Sequence, residues 1–339
     1  MEGSAHRQEI ANSMLGALLA HVRAVSGLEA VDRVLAEAGE TRSSEDLRDP
    51  TGWSSYLQAL ALFTAAARVL GDPDVGRKAG IEVLRQYAGS EIISLLRSFG
   101  SLGEMMRVYP AVQAKQSTIT QSEVLEVGDE HCVISVTTNA EITRNRLFCG
   151  YTCGALSQMP VLFGMEPAIV VEPECQTRGD GRCLYEMRWD PRSSFEANLE
   201  KELDYLREEL QVLTRRFRSL EAVAQELSSA RDVDSVLETI TRHAGVAVRA
   251  PRYLLAARLP GDRSPRVHSV GFGDEEAKTA AAQVLAAGAE EDEGSRLVVD
   301  VASARTHFGR LAAFYPEGYG FLPQERSLLL AYAGHAAAA

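Results

Sequence analysis

The chain has 339 residues, 45% of them hydrophobic and 24% charged, with a formal net charge of −12. That length exceeds one ordinary hydrophobic core and suits two domains, and the acidic balance argues against a phosphate-driven nucleic-acid binder. No uncharged apolar run reaches the roughly 18 residues of a membrane span, and the charge-broken start MEGSAHRQEIANSMLGALLAHVRA lacks the apolar stretch of a signal peptide. A cytoplasmic chain with no direct nucleic-acid or membrane partner is therefore expected.

From about residue 8 to residue 112 the apolar spacing is helical, most clearly in SYLQALALFTAAARVLG (Ser55 to Gly71), which Gly71-Asp72-Pro73 closes. The period then changes. QSEVLEVGDEHCVISVTTN reads as two strands joined around Gly128-Asp129. A helix over roughly Arg146 to Leu162 carries Cys149 and Cys153, and AIVVEPEC and CLYEMRW read as two strands joined by an RGDG turn. Helices first and a sheet late make residues 1–190 an α+β domain.

In the segment after Phe195, apolar residues recur at Leu199, Leu203, Leu206, Leu210, Leu213, Phe217, Leu220, Ala224 and Leu227, alternating four and three apart. Charges dominate the other faces. This is a heptad seam, and a stripe this narrow predicts a dimeric coiled coil over residues 191–229. From about Asp232 the order is helix, strand, strand, helix, strand, strand, helix, giving a second α/β domain over 230–339, with EEDEG (Glu290 to Gly294) a solvated loop. The chain stops inside an apolar helix with no capping signal, and a longer parent protein is expected on that ground.

All five cysteines lie between Cys132 and Cys183, so their role belongs to one domain. A disulfide is disfavoured in the expected compartment. Catalysis is disfavoured too, because the nearby histidine, His131, reads as the edge of a strand rather than a base. The tight turn brings Cys175 and Cys183 to face one point. Cys149 and Cys153 lie one helical turn apart and point the same way. Glu172 is three residues before Cys175, and two strand positions with odd spacing share a face only across a bend, for which Pro173 is suited. Three thiolates and a carboxylate suit a tetrahedral zinc site, with Cys149 or Cys153 as the helical ligand. The bland reading of the same residues is a core filled by small side chains.

The stretch CGYTCGALSQMPVLFG…VVEPECQTRGDGRCLYEMRW resembles the 4-vinyl-reductase-like sensory domain, over about residues 100–190. The family's zinc site implies Glu172, Cys175 and Cys183, with Cys149 at the position of its helical cysteine. The Gly150-Tyr151 pair departs from this by one turn, and the family's ligand-contacting Trp has no counterpart in EITRNRLF. The resemblance further implies a pocket for a small apolar or aromatic ligand between sheet and early helices, with Trp53, Tyr56, Phe63, Tyr87, Phe99 and Tyr109 as lining candidates, each more readily a core residue.

From Asp232 on, the chain resembles a short GAF domain without the Asn-Lys-X-Asp-Glu motif of nucleotide binders, and so a dimerising transmitter. Together these imply a signal-transduction input module: ligand domain, coiled coil and GAF, serving an output such as a GGDEF diguanylate cyclase that makes cyclic di-GMP. A transcriptional activator or kinase input region, or a tetrapyrrole-related reductase, is the alternative. No enzyme activity of this chain is expected, since it carries no Gly-rich dinucleotide loop and no cluster of histidines with carboxylates.

Overall fold

The computed structural model describes residues 8–49, 51–87, 93, 96–191, 233–248, 250–258, 264–286, 295–303, 306–315 and 321–338. The chain divides into two units, Met1–Val212 and Leu213–Ala339, each with helices and an antiparallel sheet of its own. The heptad segment and the EEDEG run lie outside the described residues.

The first unit opens with helices α1 (Asn12–Ser26) and α2 (Leu28–Ala38). Two short strands, β1 (Ile10–Ala11) and β2 (Trp53–Ser54), pair antiparallel. Strands this brief show no period of two, so the helical pattern hid them. Helix α3 (Tyr56–Leu70) starts where the sequence expected, and the cause is a complete capping box. The Ser55 hydroxyl accepts from the Gln58 N–H at 3.3 Å, and the Gln58 side chain accepts from the Ser55 N–H at 2.9 Å. Gly71, at φ +63°, closes α3 in the left-handed conformation that a β-carbon disfavours. Leu15, Leu18 and Leu19 of α1 and Leu62 and Phe63 of α3 are fully buried and form the helical core.

Helix α4 (Val75–Gln86) carries Gly76 and Gly80, four apart on one face. Short helices α5 (Leu102–Arg107) and α6 (Tyr109–Ala114) lead into β3 (Thr120–Val127) and β4 (His131–Thr138), after which α7 (Arg146–Gln158) presents Gly150 and Gly154 with the same spacing. The two glycine pairs meet. A β-carbon at Gly76 would stand 2.1 Å from the Leu147 carbonyl oxygen, one at Gly80 2.2 Å from that of Tyr151, and one at Gly154 2.1 Å from that of Arg77. Contacts that advance together along both helices make α4 and α7 parallel, with backbone against backbone. Only residues lacking a side chain allow this approach. Helix α7 ends at Gln158 and passes into a 3₁₀ turn, Met159–Phe163, because Pro160 cannot supply the next helical N–H.

Strands β5 (Ile169–Glu174) and β6 (Cys183–Arg188) complete a four-stranded antiparallel sheet of order β3-β4-β6-β5. Alternate residues of β6 (Cys183, Tyr185, Met187) and β4 (Cys132, Ile134, Val136) are buried, as a sheet with one face on helices requires. The register of β5 against β6 slips between Val171 and Glu174, so that Glu172 and Pro173 form a bulge. The bend expected at Pro173 is thus a bulge in the edge strand.

The second unit, by itself, orders its elements as the sequence periodicity did: α8 (Val233–Val248), β7 (Arg252–Ala257), β8 (Arg266–Val270), α9 (Asp274–Ala286), β9 (Arg296–Ala302), β10 (His307–Phe314) and α10 (Pro323–Ala338). Its antiparallel sheet runs β8-β7-β10-β9. Ala277, Ala280 and Ala281 of α9 pack on Leu254 and Ala256 of β7. Arg310 is buried but satisfied, donating to Asp300 at 2.9 Å and to the Val284 carbonyl at 3.0 Å.

Candidate metal centre

Four donors converge in the first unit: Cys149 in the opening turn of α7, Glu172 in the β5 bulge, Cys175 just past β5, and Cys183 at the start of β6. One ligand atom from each lies within 4.8 Å of the others. The three sulfurs form a nearly equilateral triangle, with 3.6 Å between Cys149 and Cys175, and 3.9 Å from Cys183 to each of them. Metal–sulfur bonds of about 2.3 Å in tetrahedral geometry give sulfur–sulfur edges of about 3.8 Å, so the triangle already has the size of a tetrahedron's face. All five cysteines are free and buried. The three sulfurs stand much further apart than the roughly 2.05 Å of a disulfide.

Glu172 completes the group because of the bulge. In a regular strand, positions 172 and 175 would face opposite sides of the sheet; the extra residue removes that conflict. Oε1 of Glu172 is buried and meets no hydrogen-bond partner at bonding distance among the described residues, while the carboxylate faces the Cys175 thiol. The bulge is held from outside by Arg178, whose Nη2 donates to the Glu172 carbonyl at 2.9 Å and the Pro173 carbonyl at 2.8 Å.

Of the two cysteines on α7, Cys149 is the one brought together with Glu172, Cys175 and Cys183. Cys153 lies outside the group of four. Its thiol is pushed up to about 12, first by burial and then by the Glu172 carboxylate. Burial likewise pushes Cys132, on β4, up to about 12. Within the triangle, Cys183 is the thiol that ionises most readily. It shares a hydrogen bond with Cys149, accepts the Gln176 N–H at 3.4 Å and feels Arg144, and these together outweigh burial. Cys149 is correspondingly held up by that shared hydrogen bond and by burial, and Cys175 is raised chiefly by burial.

Several side chains that sequence reasoning passed over support these donors. Arg144 donates through Nε to Cys149 Sγ at 3.5 Å, and its other nitrogens reach Thr138, Thr152 and Tyr185, each at 3.4 Å. Its cation offsets anionic sulfur. Asp180 accepts the Cys175 N–H at 2.7 Å and so fixes the turn, while the Thr177 hydroxyl sits 3.0 Å from Cys175 Sγ. The RGDG motif hinted at Asp180, since Asp in tight turns takes backbone N–H groups. No sequence signal pointed to Arg144.

Beside the centre lies a cleft of about 350 Å³ between α4, α7 and β5, whose lining includes Asp74, Arg77, Arg146, Cys149, Cys153, Glu172 and Arg178. None of the expected aromatic residues lines it. Tyr56 and Phe63 instead pack on Phe148, each with ring centroids 5.1 Å apart, and Phe63 meets Tyr151 edge-on at 6.0 Å. Tyr87 and Tyr109 are buried, and Trp53 and Phe99 are half-buried. His131 is half-buried and pairs with Glu126 at 2.8 Å.

No family model matches the chain, and a search of curated proteins finds no match. Among solved structures the chain is similar to a Tt H-NOX double variant, at 15% identity and TM-score 0.42, covering 56% of this chain and 99% of that one. It is similar also to an H-NOX triple mutant from S. oneidensis in the Fe(II) ligation state, at 12% identity and TM-score 0.44, covering 53% of this chain and 96% of that one. An oxygen-binding H-NOX domain related to soluble guanylate cyclases matches at 15% identity and TM-score 0.40, covering 56% of this chain and 99% of that one. Scores this low transfer neither ligand nor activity.

Two expectations are corrected here. The neighbours found are H-NOX domains rather than 4-vinyl-reductase-like domains. The zinc expectation, which the first resemblance carried, is withdrawn with it; the names of further neighbours speak of haem, and nothing on this chain selects zinc. The physical reason is that three sulfurs and a carboxylate define a donor set that several divalent ions share, so spacing alone never selected zinc. Haem, for its part, needs an axial side chain, most often His. His21 and His131, the histidines of the first unit among the described residues, do not line the cleft, so no histidine stands there as an axial ligand. No helix among the described residues is long and apolar enough to cross a membrane.

Proposed function

We propose that the first unit is a ligand-responsive regulatory domain in which a thiophilic divalent cation, held by Cys149, Glu172, Cys175 and Cys183, pins the β5–β6 hairpin to α7. The observation that carries this is the meeting of four donors from separate elements within 4.8 Å. Oε1 of Glu172, buried and without a hydrogen-bond partner among the described residues, supports it, because a buried acceptor left unsatisfied costs about 1–3 kcal/mol, and more when charged. The role is structural: four protein donors fill a tetrahedral shell and leave no position for a substrate. No catalytic role is assigned to the chain.

The adjoining cleft receives a small molecule, and binding acts by favouring one arrangement of α4, α7 and the hairpin over another. The heptad run from Leu199 to Leu227 follows β6 in sequence. Dimerisation through that run and the second unit, and relay toward an output such as a diguanylate cyclase, belong to this reading and rest on sequence order.

Elemental analysis of the purified chain should find one thiophilic metal ion per chain, lost in Cys149→Ser and Cys183→Ser and retained in Cys153→Ser. Folded, metal-free wild-type protein would refute the centre, as would a variant series in which Cys153 rather than Cys149 is needed.

A further inference from the structure

We infer that the cleft beside the centre is a binding site for a small organic anion carrying a carboxylate or phosphate group. The inference rests on the preceding reading of the first unit as ligand-responsive. Helices α4 and α7 pack in parallel. Parallel helices place their N-termini side by side, so the positive ends of two macrodipoles add at one end of the pair. Such ends ordinarily attract acidic side chains. The one acidic residue at these two ends is Asp74, the N-cap of α4, whose side chain makes no capping hydrogen bond; the first turns themselves hold none. Arg77 and Arg146 stand there instead, both exposed and both lining the cleft. No ion pair or side-chain hydrogen bond holds either of them among the described residues. Arg178 adds a third guanidinium from the hairpin turn.

The neighbouring centre does not absorb this charge. A divalent ion with three thiolates and a carboxylate carries two negative charges, and Arg144, bonded to Cys149, offsets one of them. With Glu172 already counted in the centre, the cleft's Arg77, Arg146 and Arg178 stand against Asp74 and leave two positive charges. The region therefore remains net positive with the centre fully ionised. Guanidinium groups bind carboxylate and phosphate through paired hydrogen bonds that a lone ammonium cannot reproduce. The volume of about 350 Å³ is at the small end of the range for small-molecule sites. Leu147, Val170 and Val171 supply an apolar flank for a short carbon body.

The test is calorimetric titration of the purified, metal-assayed chain with succinate in one arm and inorganic phosphate in the other, each against sodium chloride at matched ionic strength. Saturable binding of either anion is expected, and the arm that responds identifies the head group. Because both residues are exposed and no side-chain hydrogen bond or ion pair holds them among the described residues, the double substitution R77Q/R146Q should fold and should bind at least tenfold more weakly. Protein that holds its metal but binds neither anion beyond the chloride control overturns this inference and leaves the proposed centre standing. Equal affinity in the double substitution overturns it as well. Folded protein without metal overturns the centre, whatever the titration shows.

Discussion

Replacing Gly154 by alanine puts the α4–α7 contact to a direct test. The new β-carbon would stand 2.1 Å from the Arg77 carbonyl oxygen and 3.0 Å from the Ile81 nitrogen. Ordinary heavy-atom contact needs about 3.5 Å. Both obstacles are backbone, so no side chain can swing aside and the closest contact must open by about 1.4 Å. Overpacking of this kind costs about 1–3 kcal/mol, and rigid backbone on both sides puts this site at the upper end. Alanine returns about 1 kcal/mol through helix propensity, leaving a net loss of about 2 kcal/mol. For a unit of this size that lowers the melting temperature by about 4–8 °C. Gly150→Ala is the internal control. Its β-carbon would meet the Arg77 nitrogen at 3.2 Å, which a shift of a few tenths of an ångström relieves, so propensity and strain nearly cancel. The chain's two tryptophans, Trp53 and Trp189, both belong to the first unit, so tryptophan fluorescence reports its unfolding separately from the second. A Gly154→Ala protein as stable as wild type, or more stable as propensity alone would give, would refute the packing argument.

Two further outcomes are expected. Arg144→Gln removes the cation that donates to Cys149 and should weaken metal binding about 10–100-fold in competition with a chelator, as loss of outer support for a ligand does; unchanged affinity would make Arg144 a packing residue only. Metal-stripped protein should lose stability in alkali. Cys132 and Cys153 are pushed up to about 12 by burial, whereas a thiol in the unfolded chain titrates near 8.5. The folded state thus keeps protons that the unfolded chain has released. Stability is steady below about pH 8.5 and falls above it by about 1.4 kcal/mol per pH unit for each thiol, until the folded thiol itself ionises. Urea unfolding near pH 7 and near pH 10 checks this, and equal midpoints would contradict the burial of both thiols.

Much of the candidate site could be read before any coordinates. Glu172, Cys175 and Cys183 are close in sequence, and a tight turn between two strands brings near neighbours together with little freedom left. The need for a bend at Pro173 was legible for the same reason, because strand alternation is a strict local rule. Cys149 against Cys153 was undecided, since both share a helix face and the difference is how far α7 slides along α4. That sliding is set by Gly76, Gly80, Gly150 and Gly154, whose spacing is visible in the sequence but whose pairing is not. Arg144 lies in a connection with no periodicity to interpret. The aromatic side chains offered as pocket lining became a ring cluster, because an apolar residue's type reveals that it is buried and not what it is buried against.

By itself, then, the chain's residue order determined where helices and strands alternate, where Ser55 begins a helix, and which cysteines share one domain. These follow from local hydrogen bonding and from periods of 3.6 and 2, which need only near neighbours. Tertiary structure alone decided that α4 and α7 run parallel, that Cys149 rather than Cys153 comes together with Glu172, Cys175 and Cys183, and that two helix N-termini and Arg77, Arg146 and Arg178 meet in one cleft. Such placements depend on which distant backbones can touch, and contacts of that kind leave no periodic trace along a single chain.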